Sequence, residues 1–390
     1  MKKLTLILFL VFAVNTYAQW VQVPAFPSGR YSRLLNFNGA VLAGGHNVFK
    51  SIDEGLTWTV YYQQPFPNDI SALSNVDGNV WLSSFYTNVY TTNNGLNWIN
   101  VNLNKYVYDF AFYNGRIFAG TESWRCFYST NMGLNWTVCD DIWVDVKCFY
   151  SAGANFLAGT SQALYYSTNS GTNWNLAQPS GTPFIHAICG LNSKFFTGID
   201  LIGVWYSTNY GVNWSQTALN NGSVMALQTF GNYIIAGTWS NGVYVSSNDG
   251  ASWFQKNEGL NGQNIISLAI SGNTIFAGTE SNGILKRPLS EVVGIQNISN
   301  EIPSSYSLGQ NYPNPFNPIT VIGFQLPVVS DVSLKVYDIR GKEIQTLVNE
   351  RLQPGTFEVT FNGLGLNSGV YFYKLFTNNY SKTKRMILIK

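Results

Sequence analysis

The residues in this sequence that could do chemistry are mainly acidic. The chain has two histidines, His46 and His186, and it lacks an HExxH pattern, paired CxxC motifs, a glycine-rich phosphate loop and a GxSxG turn. Metal catalysis and a nucleophilic triad are therefore poorly supported, and we expect neither a metal nor a cofactor. Glycoside hydrolysis needs two carboxyl groups across a cleft. The acids expected near one loop-bearing face are Asp69, Glu122, Asp140, Asp141, Asp145, Asp200 and Glu280.

A second interpretation of the same loops is recognition of a carbohydrate or a peptide. Amides, carboxylates and aromatic rings suit both ligands, although loops are also polar for ordinary reasons of solvation. Trp124 and Trp239 lie outside the repeated tryptophan pattern described below, which makes them better binding candidates than the repeated tryptophans. The candidate ligand-binding residues are His46, Tyr86, Glu122, Trp124, Asp200, Trp239 and Glu280.

A repeated eight-residue turn, here called the box turn, indicates which elements position these residues. It first occurs as SIDEGLTW and returns five more times, with its last residue at Trp58, Trp98, Trp136, Trp174, Trp214 and Trp253. Spacings of 38–40 residues are typical of a repeat architecture. We expect Ser51 and Asp53 to hydrogen-bond the backbone of the turn, Gly55 to supply a positive φ, and each tryptophan to pack between neighbouring repeats.

A unit of four strands recurs seven times over residues 19–290. The second strand is apolar and usually ends in a small-Gly-Thr step, as in RIFAGT from Arg116 to Thr121. Four strands per repeat predict an all-β, seven-bladed β-propeller. The seventh unit has Pro288 where its box turn should begin. We expect its outer strand to come from Gln19 to Val23, with Trp20 in the place of the repeated tryptophan, which leaves no exposed ring edge.

The box turn resembles the Asp box, S/T-x-D/N-x-G-x-x-W, also called the BNR repeat, of sialidases, sortilin-type receptors, two-propeller xyloglucan hydrolases and photosystem assembly factors. The resemblance implies the fold and says little about function, because those families share little chemistry. A sialidase-like site would also need three converging arginines. The arginines of this region occupy unrelated positions in the repeat: Arg30, Arg33, Arg116, Arg125 and Arg287. We therefore expect a non-catalytic recognition or surface-structural protein, with a glycoside hydrolase as the alternative.

Residues 1–18 read as a secretory signal peptide. A charged start is followed by an apolar run from Leu4 to Val14 and by small residues before an expected cut after Ala18. No later segment is apolar enough to span a bilayer. Removing Lys2 and Lys3 leaves 20 basic residues (22 minus 2) against 20 acidic ones. This balance argues against a nucleic-acid partner, which needs a basic stripe.

The pattern changes after an expected linker at residues 291–305. Short strands separated by Gly and Pro turns predict a small Ig-like antiparallel β-sandwich over residues 306–390. This part resembles the type A C-terminal sorting domain of type IX secretion substrates. The resemblance implies recognition by the outer-membrane translocon, removal by a sorting protease, and a secreted or surface-held product. It is carried by Asn311, Tyr312, Pro313, Asn314, Pro315, Phe316, Asn317, Pro318, Tyr337, Asp338, Gly341, Ser368, Gly369 and Tyr371, and by the basic tail ending at Lys390.

The four cysteines allow two bridges in an exported chain. Counting outward from the third box turn places Cys126 directly opposite Cys139, where a disulfide is feasible but not established by sequence. Cys148 and Cys189 occupy equivalent positions of adjacent blades, and we expect them to be buried free thiols.

Overall fold

The computed structural model describes residues 19–389 except 25, 27–28, 65–67, 85–86, 92–94, 123–124, 178–183, 294–295, 300, 353 and 364–365. Within these ranges the chain forms seven four-stranded sheets followed by two more. The expected Tyr86 and Trp124 sites and the expected signal peptide lie outside the described residues. No helix in the described ranges has the length and apolar character needed to cross a bilayer.

In each of the first six sheets, or blades, the strands lie side by side in chain order. Strand β1 (Val21–Gln22) precedes them. Blades 1 to 3 are β2 (Arg33–Phe37), β3 (Ala40–Gly44), β4 (Val48–Ser51), β5 (Thr59–Tyr62); β6 (Ile70–Val76), β7 (Asn79–Ser84), β8 (Thr87–Thr91), β9 (Ile99–Asn100); and β10 (Val107–Tyr113), β11 (Arg116–Thr121), β12 (Cys126–Ser129), β13 (Thr137–Cys139).

Blades 4 to 6 and the three remaining strands of the seventh sheet continue the pattern. They are β14 (Val146–Ala152), β15 (Asn155–Thr160), β16 (Leu164–Ser167), β17 (Asn175–Leu176); β18 (Ile185–Leu191), β19 (Lys194–Ile199), β20 (Gly203–Ser207), β21 (Ser215–Gln216); β22 (Val224–Phe230), β23 (Tyr233–Thr238), β24 (Gly242–Ser246), β25 (Phe254–Gln255); and β26 (Ile265–Ser271), β27 (Thr274–Thr279), β28 (Ile284–Pro288).

The first strands of the seven blades form a closed ring. Each contacts the first strand of the next blade, and β26 of the last blade contacts β2 of the first. The small-Gly-Thr step explains this close approach. A Cβ on Gly159 would lie 2.5 Å from Ile185, the residue that starts the inner strand of the next blade. The predicted seven-bladed propeller is confirmed.

The outer edge of the last blade is supplied by the beginning of the described chain. β1 pairs antiparallel with β28, with Val21 opposite Lys286. Trp20 is 2% exposed, its indole N–H donates to the Lys256 carbonyl at 2.7 Å, and its backbone N–H donates to the Glu258 carbonyl at 2.7 Å. The expected closure by Trp20 is therefore confirmed.

The box turns are built from short polar contacts. In the first one, the Ser51 hydroxyl donates to Asp53 at 2.8 Å and accepts from the Gly55 N–H at 2.8 Å. Asp53 also accepts from the N–H and hydroxyl of Thr57, and these bonds lower the pKa of its carboxyl to about 2. Gly55 has φ of 75° and packs against Phe276 of the last blade. The turn thus fixes its own backbone and touches the neighbouring blade.

The box-turn tryptophans pack towards the preceding blade. Trp58 meets the Phe276 ring edge-on at 6.2 Å, and Trp136 meets Trp81 at 6.4 Å. Trp136 also donates its indole N–H to the Val101 carbonyl at 2.8 Å. Such edge-to-face contacts add to the area that each ring buries.

The C-terminal part is a two-sheet sandwich. A short helix, α1 (Leu289–Val292), separates it from the last blade. One sheet has the order β29-β34-β31-β30 and the other β33-β32-β35-β36. The strands are β29 (Gln296–Ser299), β30 (Ser307–Leu308), β31 (Ile319–Leu326), β32 (Ser330–Tyr337), β33 (Glu343–Leu352), β34 (Gly355–Asn362), β35 (Gly369–Phe376) and β36 (Ser381–Leu388). The predicted Ig-like antiparallel sandwich is confirmed.

The expected domain limits at 290 and 305 stay predictions. Helix α1 lies across the first limit, and its Leu289 and Val292 share an apolar core with Trp20. Strand β29 lies inside the expected linker and pairs with β34 of the sandwich. The segment 291–305 therefore includes residues that pack with both neighbouring parts.

The Asn-Pro-rich opening of the sandwich holds its last strand. Asn311 is buried, and its amide donates to Thr320 at 2.9 Å. Phe316 is 1% exposed, and its N–H donates to the Ile387 carbonyl at 2.9 Å. The carboxamide oxygen of Asn314 accepts from the Ile387 N–H at 3.0 Å. This segment therefore closes the sandwich against the C-terminal strand.

Trp20→Ala tests the ring closure. The substitution should lower the free energy of unfolding by about 3–5 kcal/mol, because it leaves a large cavity and frees the Lys256 carbonyl. Val21→Ala is the matched control, since Val21 is the next residue along the chain and is 44% exposed; it should cost about 0.5 kcal/mol. Chemical denaturation measures both, and equal effects would contradict the closure.

The cysteine pair gives a second prediction. Cys126 and Cys139 lie directly opposite in β12 and β13, and their Sγ atoms are 2.7 Å apart, although all four cysteines are thiols in the structure. Bridging therefore needs almost no backbone movement. In protein collected after export, alkylation under denaturing conditions should label Cys148 and Cys189 alone until a reductant is added. Labelling of all four without reductant would contradict the bridge.

Candidate functional site

The inner strands carry a repeated irregularity at the end where they begin. In β10, Val107 pairs with Thr121 and Asp109 with Gly120, so Tyr108 is an extra residue in the ladder. The same bulge recurs in the inner strand of blades 2 and 4 to 7. A bulge re-aims the side chain of its extra residue. The extra residues, here called the mouth ring, are Ser71, Tyr108, Lys147, His186, Met225 and Ile266.

The mouth ring opens into a cavity of about 250 Å³ between the inner strands, lined among others by Tyr108, Lys147, His186, Met225 and Ile266. A neighbouring cavity of about 260 Å³ shares Ser32, Arg33 and Tyr108 with it and includes Ser71. The chemistry of the ring is uneven. Blades 3 to 5 present a phenol, an ammonium and an imidazole, whereas blade 6 presents a thioether and blade 7 an aliphatic chain.

Blade 1 has no bulge, and its inner strand begins at Arg33, which pairs with Gly44 as Asp109 pairs with Gly120 in blade 3. Arg33 also lines the cavity. Its guanidinium donates to the carbonyls of Ser71 at 2.8 Å and of Tyr108 at 3.3 Å. Arg33 therefore ties the inner strands of blades 1, 2 and 3 together. This contact restrains the wall of the mouth instead of leaving a free cation.

Lys147 is held between aromatic rings and a carboxylate. Its ammonium lies 3.5 Å from the Tyr108 ring centroid, 5.7 Å from that of Phe184 and 3.2 Å from Asp145. Burial lowers the pKa of Lys147, while Asp145 opposes the change. Burial, with Glu122 and Asp145 adding to it, raises the pKa of Tyr108 to about 12. Tyr108 is therefore a neutral hydrogen-bonding group at physiological pH.

His186 is the second ionisable group of the ring. Its imidazole stacks on Phe184 at 6.2 Å, and its Nε2 lies 3.8 Å from an oxygen of Asp200. Burial lowers the pKa of His186, although Asp200 acts to raise it. The neutral imidazole can therefore donate or accept a hydrogen bond near pH 7.

Asp109 looks like a candidate acid but is already engaged. Burial raises the pKa of its carboxyl. One of its oxygens accepts from the Ser74 hydroxyl at 2.8 Å and the other from the Phe149 N–H at 2.9 Å. Asp109 thus joins the inner strands of blades 2, 3 and 4.

The described sequence-predicted binding residues all lie in the loops after the second strands, on the face of the mouth. Asp200 reaches His186, and Glu122 is near enough to Tyr108 to affect its pKa. The remaining three lie on other blades: His46 is exposed, Trp239 is half-buried, and Glu280 accepts from the Asn264 amide at 2.9 Å.

The predicted acids divide in a similar way. Asp145 pairs with Lys147 at the mouth, and Asp69 lines the neighbouring cavity. Asp141 accepts from the Trp174 N–H at 2.8 Å, so it supports the fourth box turn. Asp140 is exposed. No group of three or more His, Cys, Asp or Glu placed to hold a metal occurs among the described residues.

None of the mouth-ring residues was among the binding residues predicted from the sequence. Each member follows an aliphatic residue that starts the inner strand, as in Val107-Tyr108, Val146-Lys147 and Ile185-His186. Aligning the repeats at that aliphatic residue would have shown one position that changes from blade to blade. The side-chain alternation alone could not show it, because a bulge breaks the period of two.

Two comparisons identify the parts of the chain. Residues 310–390 match the family described as secretion system C-terminal sorting domain. This part is therefore a type IX sorting domain, which implies interaction with the secretion machinery. The protein is an exported β-propeller that is secreted or attached to the cell surface. A search among curated proteins gives no match.

Solved structures similar to the chain include three propellers. YCF48 from Cyanidioschyzon merolae is 14% identical with a TM-score of 0.54, covering 70% of this chain and 98% of its own. Virginiamycin B lyase from Staphylococcus aureus is 15% identical with a TM-score of 0.58, covering 70% and 99%. The extracellular domain of BT4673 from B. thetaiotaomicron is 10% identical with a TM-score of 0.57, and covers 96% of this chain and 59% of its own. At such identities the likeness shows the fold alone.

His186→Gln gives a test of the electrostatics at the mouth. Because folding lowers the pKa of His186, the unfolded chain binds more protons just below pH 6.5, so this group makes the fold less stable as the pH falls through that region. The variant should therefore lose less stability than the wild type between about pH 7 and 5. Thermal unfolding across this range measures the effect, with His46→Gln as the control for loss of an imidazole. If stability depends on pH equally in His186→Gln and in the wild type, the pKa of His186 is not lowered by folding.

Proposed function

We propose that the exported propeller is a recognition module that binds a glycan or a surface protein across the mouth ring. The observation that carries the proposal is the ring itself. One backbone device is used in six blades, while the residue it presents differs in each. A purely structural bulge has no need of an ammonium in one blade and a thioether in another.

The uneven chemistry of the ring suits a ligand with a polar and an apolar side. Tyr108, Lys147 and His186 supply hydrogen-bonding groups around aromatic faces, and Met225 and Ile266 supply apolar contact. Ligand sites combine apolar contact with a small number of placed polar groups that fix the orientation of the ligand. The sorting domain then directs the propeller out of the cell, where a sorting protease removes the sorting domain.

The acids at the mouth give less support to hydrolysis. Retaining and inverting hydrolases need one carboxyl to protonate the leaving group and a second to act as base or nucleophile. Asp145 is paired with Lys147, Asp200 faces His186, and both oxygens of Asp109 accept hydrogen bonds. These partners favour a binding role for the site.

The test is a screen of the purified full chain on glycan and peptide arrays, beside an assay with fluorogenic glycosides. Binding should fall about tenfold in Lys147→Ala. It should be retained in Leu134→Ala, which changes an exposed residue of a box turn, at the opposite ends of the blades. Ligand binding that is unchanged in Lys147→Ala would overturn the proposal. Glycoside turnover that is lost in Asp200→Asn would overturn it in favour of the hydrolase.

A further inference from the structure

Trp143 differs from the other tryptophans of the described ranges because it is exposed, at 57% of its surface. It lies between β13 and β14, on the connection that leads from blade 3 into the inner strand of blade 4. Its neighbours explain why it points outward. Ile142 is fully buried and Val144 packs against the same apolar core, so both anchor the connection and turn Trp143 to the outside. The indole is exposed on a segment that the core holds in place.

Arg125 covers one side of this indole. Its guanidinium carbon lies 3.7 Å from the centre of the Trp143 ring. The carbonyl of Arg125 accepts from the Thr121 hydroxyl at 2.7 Å, which fixes the loop that carries the guanidinium. With one face stacked and 57% of the residue still exposed, the other face of the indole is open to solvent. The stacked cation orients the ring as a flat platform.

The platform continues into the mouth ring along one side of the chain. Ile142, Val144 and Val146 point into the core, whereas Trp143, Asp145 and Lys147 alternate with them. Asp145 bonds Lys147, and Lys147 is the mouth-ring member of blade 4. At the rise of an extended chain, Trp143 and Lys147 are up to about 13 Å apart. We call Trp143, Asp145 and Lys147 the rim strip.

From this arrangement we infer that the ligand is an extended oligosaccharide that lies along the rim strip, with one end in the mouth ring and a sugar ring stacked on Trp143. This inference rests on the proposed function and names its ligand class. The C–H face of a pyranose carries slightly positive hydrogens that are attracted to the negative face of an indole. The carboxylate and ammonium beyond it can accept from and donate to sugar hydroxyls.

A peptide ligand fits the strip less well. Peptides are commonly bound by main-chain hydrogen bonds to a free strand edge. Here the Asp145 carbonyl already accepts from the Ser161 N–H at 3.0 Å, so it is not available to a peptide N–H donor along that direction. The strip offers one flat aromatic face followed by charged groups, which suits a chain of hydroxylated rings.

The experiment uses the purified full chain and calorimetric titration. The probes are cello-, xylo-, manno-, laminari- and chitohexaose with the matching disaccharides. At least one hexasaccharide should bind, and Trp143→Ala should weaken it about tenfold while changing its disaccharide by less than about twofold. Lys147→Ala should weaken both. Tyr210→Ala is the control, because Tyr210 is an aromatic residue 59% exposed in a box turn. Unchanged thermal unfolding of Trp143→Ala excludes a folding defect.

Two results would overturn the inference. If Lys147→Ala weakens hexasaccharide binding and Trp143→Ala does not, the rim strip is not part of the site, while the proposed function is still supported. Failure of every saccharide to bind would remove the ligand class, and retention of a peptide on the array in a Lys147-dependent manner would then assign the mouth to a protein ligand.

Discussion

The interaction on which the rest of the structure depends is the pairing of the two-residue strand β1 with β28. It joins the start of the described chain to the last blade and closes the ring in which the inner strands meet. An ion pair on the last blade stabilises this contact. The Arg287 side chain, 3% exposed, donates to Glu258 at 2.7 Å, and the carbonyl of Glu258 holds the Trp20 N–H. Although partial burial acts to raise the pKa of Glu258, Arg287 lowers it, so the carboxylate stays charged beside the guanidinium. The N-terminal segment is thus bound through its backbone and through Trp20, and an ion pair to Arg287 holds Glu258, whose carbonyl accepts from Trp20.

Because the ring is closed, the β-bulges of separate inner strands together form the mouth ring. Each bulge alone moves one side chain by a small amount, but six of them around one axis bring side chains from distant parts of the chain to a common opening. The wall of that opening is restrained by contacts between blades, namely Arg33 to blades 2 and 3 and Asp109 to blades 2 and 4. The buried polar groups of the wall therefore position the ring and leave the bulged residues free to vary.

The sequence predicted the fold well because its signals are local and repeated. The box turn, the small-Gly-Thr step and the missing turn at Pro288 each lie within a few residues, and their spacing alone predicts seven blades and the role of Trp20. The site was harder to predict. Glu122 and Asp200 could be predicted to lie on the face of the mouth because polar residues after a second strand mark a loop. Lys147, Tyr108 and Trp143 were missed, since they follow or interrupt apolar runs and their proximity arises from the closed ring.

Amide hydrogen exchange of the peptide covering residues 19–23, followed by mass spectrometry, tests the ring closure most directly. The N–H groups of Trp20 and Val23 donate to the carbonyls of Glu258 and Ile284. They should therefore exchange as slowly as those of β26 and β27, and they should open together with the last blade. Exchange at the rate of an unpaired chain, with β26 and β27 still protected, would show that the ring is not closed by the N-terminal strand.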